Sequence, residues 1–130
     1  MKTFKIAISG SRTITSKKII DIIHKTLHRI QLEEDVEVNR FQNVHFILGG
    51  ARGVDKVVEK YCVKNNITHT VFEAEWDLYG KRAGYIRNKV MADHSNYLIS
   101  FWDGESRGTK AMIDLCKNTH RCFNYKKKEK

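Results

Sequence analysis

The stretch "VHFILGGARGVDKVVEKYC", residues 44–62, decides the fold. Val44-His45-Phe46-Ile47-Leu48 is an apolar run of strand length. Gly49-Gly50-Ala51-Arg52-Gly53 follows as a turn in which the glycines are free to adopt positive φ. Val57, Val58, Tyr61 and Cys62 then recur on one face of a helix from about Val54 to Asn65. Strand, glycine turn and helix in direct succession form the first half of a right-handed βαβ unit.

The same alternation extends in both directions. Upstream, Phe4-Lys5-Ile6-Ala7-Ile8-Ser9 is a strand ending at Gly10, and Thr15-Ser16 can cap a helix with apolar positions Ile19, Ile20, Ile23, Leu27 and Ile30. The polar residues 33–43 read as a surface connection. Downstream, Thr68–Phe72 makes a strand. A long polar and aromatic connection, "EAEWDLYGKRAGYIRN" at 73–88, leads into a helix through Met91 that begins at Arg87 and Asn88. Asn96–Trp102 is a fourth strand, Thr109–Lys117 a helix and Arg121–Tyr125 a short fifth strand. The expected fold is α/β: a Rossmann-like three-layer open sheet of five mainly parallel strands in the order 3-2-1-4-5. A single domain over residues 1–125 and a basic, frayed tail over 126–130 complete the expectation.

A chain of 130 residues without proline, 41% hydrophobic, fits one core. No apolar stretch is long enough to span a bilayer and Met1 leads directly into a strand pattern, so the chain reads as soluble and cytoplasmic. Its three cysteines, Cys62, Cys116 and Cys122, match neither a disulfide framework nor a zinc motif. His24 and His28 have the i, i+4 spacing of a metal pair without a third ligand nearby, so no metal is expected and no cofactor is indicated. The net charge of +9 favours anionic partners.

Three glycine-bearing turns follow strands: Gly10-Ser11-Arg12, Gly49 to Gly53, and "DGESRGT" from Asp103 to Thr109, which holds Gly104, Ser106, Arg107 and Gly108. In the expected sheet order all three rim one crevice at the strand carboxyl ends. Glycine lets backbone N–H groups approach a ligand, helix N-termini favour phosphate, and Arg12, Arg52 and Arg107 add guanidinium donors. Neither the spacing of a P-loop nor GxGxxG is present, which argues against ordinary ATP hydrolysis and NAD(P) dehydrogenase chemistry.

"ISGSRT" at 8–13, "GGARGVD" at 49–55, "EWDLYGKRAGYIRNKVM" at 75–91 and "LISFWDGESRGTKAM" at 98–112 resemble the YspA-like, DUF2493 branch of the SLOG superfamily. The resemblance implies a Rossmann-like fold that binds nucleotides or nucleotide-derived ligands such as ADP-ribose derivatives. It also implies kinship with LOG phosphoribohydrolases and DprA-type DNA-processing proteins, and a homo-oligomer by analogy with LOG dimers. Arg87, with Met91 four residues on, resembles the LOG E-R-K-x-x-M helix, and Gly108-Thr109 match part of PGGxGTxxE. Ala111 or Met112 stands where that motif has its glutamate, which counts against LOG-type cleavage of the N-glycosidic bond.

The resulting site expectation has backbone N–H groups of residues 10–12, 50–53 and 106–109 cradling phosphates, with Arg12, Arg52 and Arg87 neutralising them. Asp55 or Glu75 would meet a ribose, Trp76 would stack on a base, and Asn88 would reach the crevice beside Arg87. If the chain is an enzyme, the catalytic candidates are Arg87, Glu75 and Asp55, with Glu105 and Asp103 as further carboxylates. The expected partner is a nucleotide-like small molecule held by a sensor or sequestering protein in nucleotide signalling or defence. N-glycosidic hydrolysis and DprA-like nucleic-acid binding are the alternatives. Ser11, without a histidine to serve as its base, is expected to hydrogen-bond phosphate.

Overall fold

The computed structural model describes residues 3–35 and 43–126. Five parallel strands form one sheet in the order β3-β2-β1-β4-β5. β1 (Phe4–Gly10) lies at its centre, paired with β2 (Val44–Leu48) on one side and β4 (Tyr97–Trp102) on the other. β3 (His69–Val71) and β5 (Arg121–Lys126) form the edges. The order reverses direction at β1, so the crevice expected of such a sheet opens between the carboxyl ends of β1 and β4.

Side-chain alternation along the strands divides the core into two layers. Phe4, Ile6 and Ile8 of β1 pack with Phe46 and Leu48 against Ile19, Ile23, Leu27 and Ile30 of α1 (Lys18–Glu34). Val54, Val58 and Cys62 of α2 (Val54–Lys64) join the same layer. Ala7, Ile47 and Leu98 face the opposite way, onto Met91 and Ala92 of α4 (Ala83–Asp93) and Met112 and Cys116 of α5 (Arg107–Cys116). Helices on both faces give the three-layer arrangement expected from the sequence pattern.

Several boundaries differ from the periodicity reading. α1 continues to Glu34 and stops at Asp35, whose φ of 53° turns the chain and whose N–H donates to Gln31. Lys17 rather than Thr15 or Ser16 takes the cap position, without a side-chain cap bond of its own, while Ser16 Oγ accepts the Lys18 N–H at 3.2 Å from one residue before it. The long connection after β3 contains a single helical turn, α3 (Trp76–Tyr79), and a 3-10 turn over Gly80–Arg82. α4 therefore begins at Ala83, four residues before the expected start at Arg87. Lys126, assigned to the tail from sequence, is the last residue of β5; residues 36–42 of the surface connection and 127–130 of the tail lie outside the described residues. No helix among the described residues is long and apolar enough to cross a membrane.

Candidate functional site

Hydrogen bonds join the turns after β1 and β4 before any ligand is considered. The Ser11 N–H donates to the Phe101 carbonyl at 2.9 Å, and the Asp103 N–H donates to Ser11 Oγ at 3.0 Å. Asp103 Oδ1 accepts from the N–H groups of Glu105 and Ser106, each at 2.8 Å, while Thr13 Oγ1 donates to Oδ2 at 3.1 Å. These donors, the Ser106 amide foremost, hold the Asp103 carboxyl below its ordinary range. Ser106 in turn caps α5, its Oγ accepting the Thr109 N–H. Next to that cap a Cβ on Gly108 would point into open space, meeting no atom within 4 Å beyond its chain neighbours and its own helix backbone. Of the amides at this end of α5, those of Ser106 and Thr109 are held by Asp103 Oδ1 and Ser106 Oγ, which leaves those of Arg107 and Gly108 without an acceptor among the described residues.

The floor is built across Gly49. A Cβ there would stand 2.9 Å from Arg87 Nη1 and 3.1 Å from Asp55 Oδ2, so a larger residue would push the Arg87 guanidinium aside. Arg87 Nη1 donates to the Gly49 carbonyl, and Nε donates to Asn88 Oδ1 at 3.2 Å. Asn88 Nδ2 continues to the Gly108 carbonyl at 3.3 Å. Two consecutive residues of α4 thus bridge the turn after β2 to the N-terminus of α5. Burial lowers the Arg87 pKa, opposed by the charges of Asp55 and Glu73.

Asp55, in the first turn of α2, is 5% exposed. Its Oδ2 accepts the Ala51 N–H at 3.2 Å, whereas Oδ1 is buried without a hydrogen-bond partner. Burial pushes its carboxyl up to about 6, against the opposing pull of the Ala51 amide, the Arg87 charge and the Gly49 amide. An acid raised in the folded state keeps its proton where the unfolded chain has already lost it. The native state is therefore penalised increasingly from about pH 4 to about pH 6 and by a constant amount above, on the order of 3 kcal/mol. Asp55→Asn should accordingly raise unfolding free energy by about 1–3 kcal/mol near pH 7.5, with the gain vanishing near pH 4. Urea melts at the two pH values check this; an equal effect at both would refute it.

These elements enclose a crevice of about 390 Å³, large enough for a small ligand. Of the residues singled out from sequence, Gly10 and Arg12 line it from the first turn, and Gly49, Ala51 and Asp55 from the second. Trp76, Arg87 and Asn88 form one wall, and Ser106, Gly108 and Thr109 another. The remaining ones lie elsewhere. Ser11 is fully buried and spends its hydroxyl on Asp103; Gly53 abuts the backbone of Ser11 and Arg12; and Gly50, Arg52, Gly104 and Arg107 do not border the crevice. Glu75 borders a separate hollow of about 240 Å³ on the far side of Arg87. In the turn after β2, the Ala51 amide is committed to Asp55 rather than left for a ligand.

The crevice also contains residues that sequence reading passed over. Thr13 and Lys81 line it, and Tyr85, half-exposed like Trp76, forms part of its mouth. Tyr85 and Asn88 sit one turn apart on α4, a relation visible only once the helix start moves to Ala83. Among the described residues no cluster of three metal-ligating side chains occurs.

Fold and site together define a Rossmann-like α/β domain with a crevice of mixed polar and apolar lining at its topological switch point. The chain is 28% identical over 113 residues to the Gene 61 protein of Mycobacterium phage D29, aligned over 82% of each chain. Its structure resembles DNA processing protein A (DprA) from Streptococcus pneumoniae with a TM-score of 0.53 and 13% identity. That superposition takes in 95% of this chain but only 59% of the DprA chain, and it is a likeness of fold. No family profile matches the chain.

Proposed function

We propose that this chain binds a nucleotide or nucleotide-derived ligand in the crevice, acting as a sensor or sequestering protein. The observation that carries this reading is the open N-terminus of α5 at Gly108, facing a crevice that also holds Arg12, Lys81 and Arg87. A phosphate seated against the Gly108 and Thr109 end of the helix would meet the helix dipole and cationic side chains together. Trp76 and Tyr85, 50% and 52% exposed at the mouth, offer aromatic faces for a base. The resemblance to YspA-like SLOG proteins points to the same ligand class.

Cleavage of the ligand has less support. Ala111 and Met112 occupy the region of the LOG glutamate, and Met112 is fully buried in the core. Of the carboxylates that do line the crevice, Asp103 is engaged by three donors and Asp55 is buried. Nucleic-acid binding is the second reading, favoured by the fold likeness to a DNA-processing protein and by the net charge of +9.

A thermal-shift panel of nucleoside monophosphates, ADP-ribose, cyclic dinucleotides and single-stranded oligonucleotides, with product analysis of each hit, separates these readings. A small nucleotide recovered intact supports the binding role, and free base with ribose phosphate would show hydrolysis. Stabilisation by oligonucleotides alone, lost steeply with salt, would favour nucleic acid. With a nucleotide hit, Trp76→Ala and Tyr85→Ala should each weaken binding about tenfold or more, matching a base-stacking contribution of about 1–3 kcal/mol. Titration calorimetry reads this directly; unchanged affinity in both variants would remove the stacking assignment.

A further inference from the structure

Asp55 presents a problem of charge that the proposed function makes sharper. It lines the crevice, is almost fully buried, and leaves one carboxylate oxygen without a donor. A buried, unpartnered carboxylate oxygen is costly when the group is ionised. The charges around it come from several elements. Arg87 faces it from α4 and Glu59 from the next turn of its own helix. Arg12, Lys81 and Asp103 border the same crevice, and Glu73 acts on Arg87 from the connection after β3.

An anion entering this space would approach the guanidinium of Arg87 and the carboxylate of Asp55 together. Two negative groups side by side between protein walls repel each other more strongly than they would in bulk water. A single proton on Asp55 removes the repulsion and also relieves the unpartnered oxygen. We propose that anion binding in the crevice is coupled to proton uptake by Asp55, so that the bound state holds Asp55 as a neutral carboxylic acid. This rests on the reading of the crevice as the site of a phosphate-bearing ligand and adds to it a dependence on pH.

The sign follows from linkage. In the free chain burial already brings the Asp55 carboxyl up to about 6. A neighbouring anion raises it further, so affinity is greatest below about pH 6 and declines as pH rises through the higher value of the complex. The decline is about tenfold for each unit by which the ligand raises the pKa. Among the described residues no histidine borders the crevice to produce the same profile.

Calorimetric titration of the native chain with sulfate and with ADP-ribose provides the test, since neither probe changes charge between about pH 5.5 and about pH 8. Near pH 7, buffers of different ionisation enthalpy report the proton count. The expected result is net proton uptake, with affinity falling about tenfold across that range, and with both effects abolished in Asp55→Asn. The carboxyl 13C shift of Asp55 in the native chain, with and without sulfate, gives the titration independently of any variant. Proton release, uptake that survives Asp55→Asn, or an Asp55 titration that sulfate leaves unmoved would each overturn the proposal. Binding of either probe without pH dependence would overturn it while leaving the crevice reading intact. Failure of both probes to bind at any pH would remove both.

Discussion

Gly53→Ala is expected to cost about 2–6 kcal/mol, a large share of a total stability that ordinarily lies at about 5–15 kcal/mol. Gly53 precedes α2 with φ +80° and ψ −127°, a conformation that side chains rarely adopt and that costs roughly 1–3 kcal/mol when imposed. A Cβ there would also stand 2.5 Å from the Ser11 carbonyl oxygen and 2.6 Å from that of Arg12. Both are backbone atoms and cannot rotate away, so the overpacking adds a further cost of about 1–3 kcal/mol. Denaturant unfolding of native chain and variant measures the loss. A variant within 1 kcal/mol of the native chain, on the order of an ordinary surface change, would mean that the turns after β1 and β2 do not meet as described.

The second large effect is on binding. Arg87→Ala should weaken a phosphate-bearing ligand by about tenfold to a hundredfold, the usual range for a charge-assisted hydrogen bond of about 1.5–3 kcal/mol. Arg87 is part-buried in the crevice wall, and its bonds to Gly49 and Asn88 fix where its charge lies. Arg87→Lys keeps the charge but loses the fork and should fall between native and alanine. Arg52→Ala is the contrasting case. Arg52 is exposed and does not border the crevice, so its removal should change affinity by no more than about 0.5 kcal/mol. Calorimetric dissociation constants for ADP-ribose across the three variants test the pair of claims, and equal losses for Arg52 and Arg87 would contradict this geometry. Removing Arg87 also removes the positive charge nearest Asp55, so the Asp55 carboxyl should titrate above its native value of about 6.

The sheet order was legible because its signals are local and repeated. Ile6 and Ile8, Phe46 and Leu48, and the period of Ile19, Ile23, Leu27 and Ile30 each name their element, and parallel pairing then restricts the topology. The site was legible only in outline. Gly49, Gly53 and Gly108 look alike in sequence, yet Gly49 admits two side chains, Gly53 packs turn against turn, and Gly108 alone faces open space. Three arginines follow glycine turns, but only Arg12 of that set borders the crevice. Arg52 and Arg107 differ from it in direction rather than in local sequence. Tyr85 and Lys81 were hidden by the connection after β3, where tryptophan, tyrosine and glycine blur any helical period until a helix start is fixed at Ala83.

The bridge made by Arg87 and Asn88 carries a consequence for how such chains can vary in length. Each residue added to an α-helix rotates everything beyond it by about 100°. A single insertion or deletion between Ala83 and Arg87 would therefore swing the guanidinium off Gly49 and the amide off Gly108 in one step. Residues added in the exposed turns at Trp76–Tyr79 and Gly80–Arg82 would leave that bridge in place and displace only Trp76 and Lys81 at the crevice edge. Length changes in relatives should gather before Ala83 and stop there.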